Sequence, residues 1–405
     1  MSAHYSRALK LFIQCGDREI DAAIDVVGKS QSEGLTHQLI DFLVGEKDGV
    51  PKDPNYIYRL YMALKKYDDA AKTALIIARQ EQDMGNYALA HSVVFETIRR
   101  LEDAGIKVIL QLRQNFVLLH SYILSRKMIS AGDDNGAARM LLRVAQSVSK
   151  FPQHVVPILT STVIECHRAG LMSSAHEYAV MLMRPEYRSA IREDLKRQIE
   201  SKVRRRATQS EEVAEDLSLC PISGQLIPLT QLECPTTRDA LPMCVVTGRH
   251  MLLDDWCFCP VSKSPVLFSA YVKYIEASLA KDGAAVDPVL SQPVALSDLR
   301  LCKAEEATKY IRIYNNVFDE KKPEDENDEP ASSTGDDGWN ATGDVAVSPL
   351  QGDHKPSKPA ILIASPAAKR NAKPGKVEPS VEDTTKKSPK RERNENGKAK
   401  RGAMK

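Results

Sequence analysis

The sequence predicts an all-α, tetratricopeptide-like solenoid over residues 1–206 and a linker at 207–219. A small β-rich module with degenerate zinc-ribbon spacing follows at 220–318, then a disordered charged tail at 319–405. Three observations support this division. Apolar residues recur at helical spacing through the first part, Cys-Pro turns cluster in the second, and charge separates into blocks in the third.

In the first 206 residues the segments IYRLYMALKKY, AAKTALIIARQ, ALAHSVVFETIRRL, VLLHSYILSRKMI, ARMLLRVAQSV, ILTSTVIECHRAGL and SAHEYAVMLM each carry one apolar helical face. Short Gly, Asp or Asn turns separate them, and no strand pattern intervenes. Several second helices begin with a turn and a small residue: Ala70 after Tyr67, Ala90 after Gly85 and Tyr87, Ala137 after Gly132, Ala175 after Gly170. A small residue there lets the preceding helix approach closely, as tetratricopeptide hairpins require. The spacing is irregular, so the array reads as degenerate. The first helices show no polar cap, and an exposed apolar flank is expected there.

Polar residues of the array do not assemble a catalytic pattern. Cys166 and His167 are adjacent on a helix and therefore point about 100° apart, which keeps thiol and base from facing each other. His120 and His154 read as structural histidines, and the basic run at 202–207 as a favourable helix C-terminus. No catalytic or cofactor-binding residue is expected, and no enzyme activity.

From Cys220 the chain breaks into short Pro-punctuated pieces. A zinc ribbon uses Cys-Pro-x-Cys because two thiolates on one tight turn hold half a tetrahedral site. Here Cys220-Pro-Ile-Ser223, Cys234-Pro-Thr-Thr237 and Cys259-Pro-Val-Ser262 keep only the first thiol, and Asp287-Pro-Val-Leu290 keeps neither. A structural zinc needs four ligands and each pair of turns falls short of that, unless Cys244, His250, Cys257 and Cys259 improvise a site. The expectation is a fold that has lost its metal and rests on Met251, Leu252, Trp256, Phe258, Val266 and Leu267 against the helix SAYVKYIEASL. A RING-type ubiquitin ligase needs eight ordered ligands, and Cys220, Cys234, Cys244, His250, Cys257, Cys259 and Cys302 are too few and wrongly spaced.

The net charge of +2 conceals a block of −9 over 319–354 and one of +10 over 355–405. Few apolar residues occur there, so burial cannot offset the entropy of ordering. Ser348, Ser365 and Ser388 precede prolines, and PKRER at 389–393 is a basic patch; a nucleic-acid role would rest on that tail alone. With no run of about 18 apolar residues and no signal-peptide pattern, the cytosolic space is expected, with its cysteines reduced.

The residues of the array and module together carry a resemblance. ALKLFIQC, LTHQLIDFLVGEKDGVPKD, GNYALAH, SKFPQHVVPILTSTVIECHRAGL and AVMLMRPEYRSAI, followed by VVTGRHMLLDDW before a Cys-Pro, resemble the C-terminal part of the WD-repeat and tetratricopeptide subunit family of the intraflagellar transport A complex. The resemblance covers about residues 5–318. It implies a non-enzymatic scaffold in retrograde ciliary transport and membrane-protein cargo entry, with other subunits of the complex and ciliary cargo adaptors as partners. Cilium or flagellum, basal body and cytoplasm are the implied locations. That family's N-terminal propellers have no counterpart here, and the tail is not part of its pattern.

Overall fold

The computed structural model describes residues 2–46, 49–204 and 213–316. The charged tail, its Ser-Pro steps and PKRER lie outside them. Ten helices lead the chain: α1 (Ser2–Gln14), α2 (Ile20–Ser30), α3 (Glu33–Val44), α4 (Pro54–Ala63), α5 (Tyr67–Met84), α6 (Tyr87–Asp103), α7 (Leu110–Ala131), α8 (Asp134–Ala145), α9 (Val155–Arg168) and α10 (Met172–Leu182). A single turn, α11 (Pro185–Arg188), and α12 (Glu193–Arg204) follow. From α4 to α10, each helix packs against the next.

The local chemistry accounts for the boundaries. Asp53 caps α4 through the Asn55 N–H at 2.8 Å, with Pro54 at the first helical position. Asp133 caps α8 through the Gly136 N–H at 2.9 Å. Gly85 ends α5 in the left-handed region at φ 87°. Ala70, Ala90 and Ala137 have no exposed surface and Ala175 is buried, so each lies where neighbouring helices close up. Tyr87, at the start of α6, is tilted or edge-on to Tyr122 and Phe151 with ring centroids 5.5 and 5.0 Å away. At the start of the array, Leu11 is half-exposed on α1 while Leu9 is fully buried.

The cysteine-rich part departs from the β-rich expectation. Among its described residues, four strands of three residues form two antiparallel hairpins: β1 (Leu217–Leu219) with β2 (Leu226–Pro228), and β3 (Trp256–Phe258) with β4 (Pro265–Leu267). Two longer helices, α13 (Phe268–Asp282) and α14 (Ala304–Tyr314), outweigh them. The strands stay short because turns that close on themselves satisfy the intervening backbone groups, leaving little ladder to extend. Trp256, Val266 and Met251 are fully buried against Tyr271 and Ile275 of α13, with Leu267, Leu252 and Phe258 at the edge of the same core. The described residues fall in one compact unit, so array and cysteine-rich part are packed together.

Candidate functional site

Five turns share one hydrogen-bond pattern. At Cys220 the N–H donates to the Gln225 carbonyl at 2.8 Å, and the Gly224 N–H donates back to the Cys220 carbonyl at 2.9 Å. The same two bonds recur at Cys234, Cys244, Cys259 and Asp287. In each turn the residue that donates back has positive φ: Gly224, Arg238, Gly248, Lys263 and Ser291, between 55° and 70°. This is the shape of a metal knuckle, in which backbone N–H groups gather around the first side chain. The Ser223 N–H reaches Cys220 Sγ at 3.5 Å, and the Val289 and Leu290 N–H groups reach Asp287 Oδ1 at 2.7 and 2.8 Å.

Four of these knuckles were legible as Cys-Pro or Asp-Pro steps. The fifth, Cys244-Val-Val-Thr247, lacks the proline, and its remaining signal is Gly248. A Cβ at Gly248 would stand 2.2 Å from Met140 Sδ on α8, so a larger residue there would have to displace that side chain in addition to taking a left-handed φ of 70°.

In the last two knuckles a hydrogen-bonded relay occupies the place where a metal would bridge. The Cys259 thiol donates to Asp287 Oδ2 at 2.6 Å, and the Ser262 N–H donates to the same oxygen at 3.0 Å. Tyr271 Oη lies 2.9 Å from Cys259 Sγ, and with the thiol proton committed to Asp287 it is the hydroxyl that donates. Burial pushes the Cys259 thiol up, and its bond to Asp287 adds to that. Burial also works to raise Asp287, but the Cys259 thiol and the N–H groups of Leu290 and Val289 outweigh it and hold the carboxyl below its ordinary value. A negative carboxylate facing a neutral thiol results, with the carboxylate's lone pairs already engaged.

The first two knuckles bring Cys220 and Cys234 into one buried cluster with Ile227 and Leu241. Burial opposes ionisation of Cys234, yet the Thr237 hydroxyl and N–H outweigh it and bring the thiol down to about 6. Cys244 Sγ accepts from the Leu267 N–H at 3.3 Å. His250 is elsewhere, its Nε2 2.8 Å from Ser218 Oγ, and the Cys257 thiol turns to the Phe258 carbonyl at 3.4 Å. The improvised set Cys244, His250, Cys257 and Cys259 is therefore not assembled. Among the described residues no three His, Cys, Asp or Glu side chains gather into a metal site, and the donors present do not fit a structural zinc.

The knuckles are fastened to the array through buried and half-buried polar groups. Arg143 of α8 donates through Nη2 to the carbonyls of Thr230 at 2.7 Å and Gly248 at 3.0 Å, and through Nη1 to Ser121 Oγ at 3.0 Å. Burial lowers it to about 10 against the pull of Glu215, so it stays charged near neutrality. His120 of α7 lies 2.8 Å from the Val245 carbonyl; a carbonyl only accepts, so Nε2 carries the proton. His120 Nδ1 then accepts from His91 Nε2 of α6 at 3.0 Å. Burial lowers both imidazoles, His120 to about 4 and His91 well below its ordinary value. At the other end Arg113 of α7 pairs with Glu102 at 3.1 Å and stacks 4.0 Å over the Tyr314 ring of α14.

Sequence reading missed this seam, although α7 held a signal. Arg113, His120, Ser121 and Ser125 are buried on it alongside Leu112, Leu119 and Leu124. A long helix without a clean apolar face is one that packs on more than one side.

No family model matches the chain. It is 46% identical over 316 residues to WD repeat-containing protein 19 of Homo sapiens and to that of Mus musculus, covering 77% of this chain and 23% of each relative. WD repeat-containing protein dyf-2 of Caenorhabditis elegans is 37% identical over 274 residues, 67% of this chain and 20% of the relative. The chain thus spans less than a quarter of the length of the curated relatives it matches.

Proposed function

We propose that the chain is a member of the WD repeat-containing protein 19 family, corresponding to the C-terminal part of intraflagellar transport protein 144, and that it acts as a non-enzymatic scaffold of the intraflagellar transport A complex. The observation that carries this is the 46% identity over 316 residues, joined to the resemblance in the residue pattern over about 5–318. The geometry supports the scaffold class: His91 and His120 are engaged with each other and with the Val245 carbonyl, and the buried Cys259 thiol is engaged by the Asp287 carboxylate, so these groups hold the fold together. In this reading residues 1–206 form a tetratricopeptide-like solenoid, 207–219 a linker, 220–318 a metal-free zinc-ribbon-like module, and 319–405 a disordered tail. Its partners are other subunits of the complex and ciliary cargo adaptors. Its setting is retrograde transport in the cilium or flagellum, with basal-body and cytoplasmic pools.

The test is expression of the tagged chain in ciliated cells, with imaging and quantitative co-purification. Enrichment at the cilium together with the other complex subunits is expected. A stable, soluble chain that co-purifies with none of them overturns the proposal.

A further inference from the structure

A groove of about 1540 Å³ runs between the array and the cysteine-rich part. Tyr122, Ile123 and Arg126 of α7 line it, as do Ala270, Tyr274 and Ala277 of α13. The α13 residues lie three to four positions apart and so share one helix face. The volume is that of roughly three to four turns of a helix about 10 Å across with its side chains.

The charge of the lining is one-sided. Arg126, Lys127, Arg249, Lys273 and Lys281 line the groove, and Asp133 is the single carboxylate among the described lining residues. The Lys127 ammonium donates to the Pro288 carbonyl at 3.1 Å, whereas no carboxylate pairs with Arg126, Arg249, Lys273 or Lys281 among the described residues. Lys273, Ala277 and Lys281 follow one another at single-turn intervals, placing cations at either side of an apolar step. An apolar trough edged with unpaired cations selects a ligand with an apolar face and negative flanks.

We infer that this groove docks an acidic amphipathic helix of a partner protein. The inference rests on the scaffold reading for the existence of such a partner, and its own content is the class of segment and the surface that takes it. Apolar residues at helical spacing fill the trough between α7 and α13, and Glu or Asp on the flanks meet Arg126, Arg249, Lys273 and Lys281. A plain anionic polymer would leave the trough unfilled, and an uncharged apolar helix would leave the cations unmatched.

The test uses the full chain and a fluorescein-labelled peptide of about 15 residues, with Leu on one helical face and Glu on the other, read by fluorescence anisotropy. Saturable binding that weakens as salt rises is expected. The combined change Arg126→Glu, Lys273→Glu and Lys281→Glu should weaken it by about tenfold or more. Ala277→Phe, which fills the trough without altering charge, should weaken it as well. The control Arg7→Glu, Lys10→Glu and Lys29→Glu makes the same change in net charge away from the groove and should leave binding unaltered. All variants change exposed residues, and matching circular dichroism melts establish their folding. Equal loss in groove and control variants overturns the inference, as does indifference to Ala277→Phe. Vesicle binding to phosphatidylserine through the same residues without peptide binding assigns the groove to a membrane surface, and self-association lost in the groove variant assigns it to a second copy; either also overturns it. Because the assay uses purified protein, peptide binding stands or falls independently of co-purification with transport subunits.

Discussion

Replacing Asp287 by alanine removes the acceptor on which the last two knuckles converge. Its carboxylate takes the Cys259 thiol at 2.6 Å, the Ser262 N–H at 3.0 Å, and the Val289 and Leu290 N–H groups at 2.7 and 2.8 Å. Leu290 is exposed and Val289 only partly covered, so water can replace the acceptor for those two N–H groups. Cys259 and Ser262 have almost no exposed surface, and their donors are left bare. A buried donor without a partner costs about 1 to 3 kcal/mol, so Asp287→Ala should destabilise by roughly 3 to 5 kcal/mol once the lost charge-assisted bonds are included. Asp287→Asn keeps one acceptor oxygen and should cost about half as much. Urea denaturation followed by the fluorescence of fully buried Trp256, in a Trp339→Phe background, reads the change directly. Because the folded carboxyl sits below its unfolded value, its contribution is complete above about pH 4 and is lost as pH falls through the folded value. The gap between parent and Asp287→Asn should close in acid. An Asp287→Ala protein within about 0.5 kcal/mol of the parent at pH 7 would show that the relay does not hold the knuckles together.

Ala90 has no exposed surface between helices of the array, so Ala90→Phe should overpack that contact and cost about 1 to 3 kcal/mol by the same denaturation assay; a neutral result would place Ala90 at a contact loose enough to absorb a ring. His91 and His120 are held neutral by burial, so their contribution is complete above about pH 6.5 and declines as pH falls toward about 4 for His120. A melting profile that is flat over that window, or unchanged by His120→Leu, would refute their role in the seam. Elemental analysis of purified protein should find less than one zinc per chain, and a strong chelator should leave the melt unaltered; stoichiometric zinc with a large drop would mean that the knuckles still hold metal.

Much of the array was legible because its signal is local. Helical periodicity sits within single turns of chain, so segments such as ALAHSVVFETIRRL declare their helix and their buried face without knowledge of any partner. Ala90 and Tyr87 could be placed at a hairpin contact for the same reason. The knuckles at Cys220, Cys234, Cys259 and Asp287 were visible through a proline that follows each first residue. The β-rich expectation failed because a Pro-punctuated run records where strands are interrupted and does not reveal how little ladder lies between the interruptions.

By itself the sequence determined the helices, most of the knuckle turns and the loss of their second thiols, since each of these depends on residues a few positions apart. The tertiary structure alone decided that Cys259 faces Asp287, that His120 bonds Val245 and that Arg143 reaches both Thr230 and Gly248. Those partners are separated by 28 to 125 positions, and their meeting is set by the path of the whole chain. The polar residues of α7 and α8 carried no mark of their destination, because an arginine buried on a carbonyl and an arginine in water are written with the same letter. Burial, and with it the lowered imidazoles and the protonated thiol beside a carboxylate, arises when the array and the knuckles close over them.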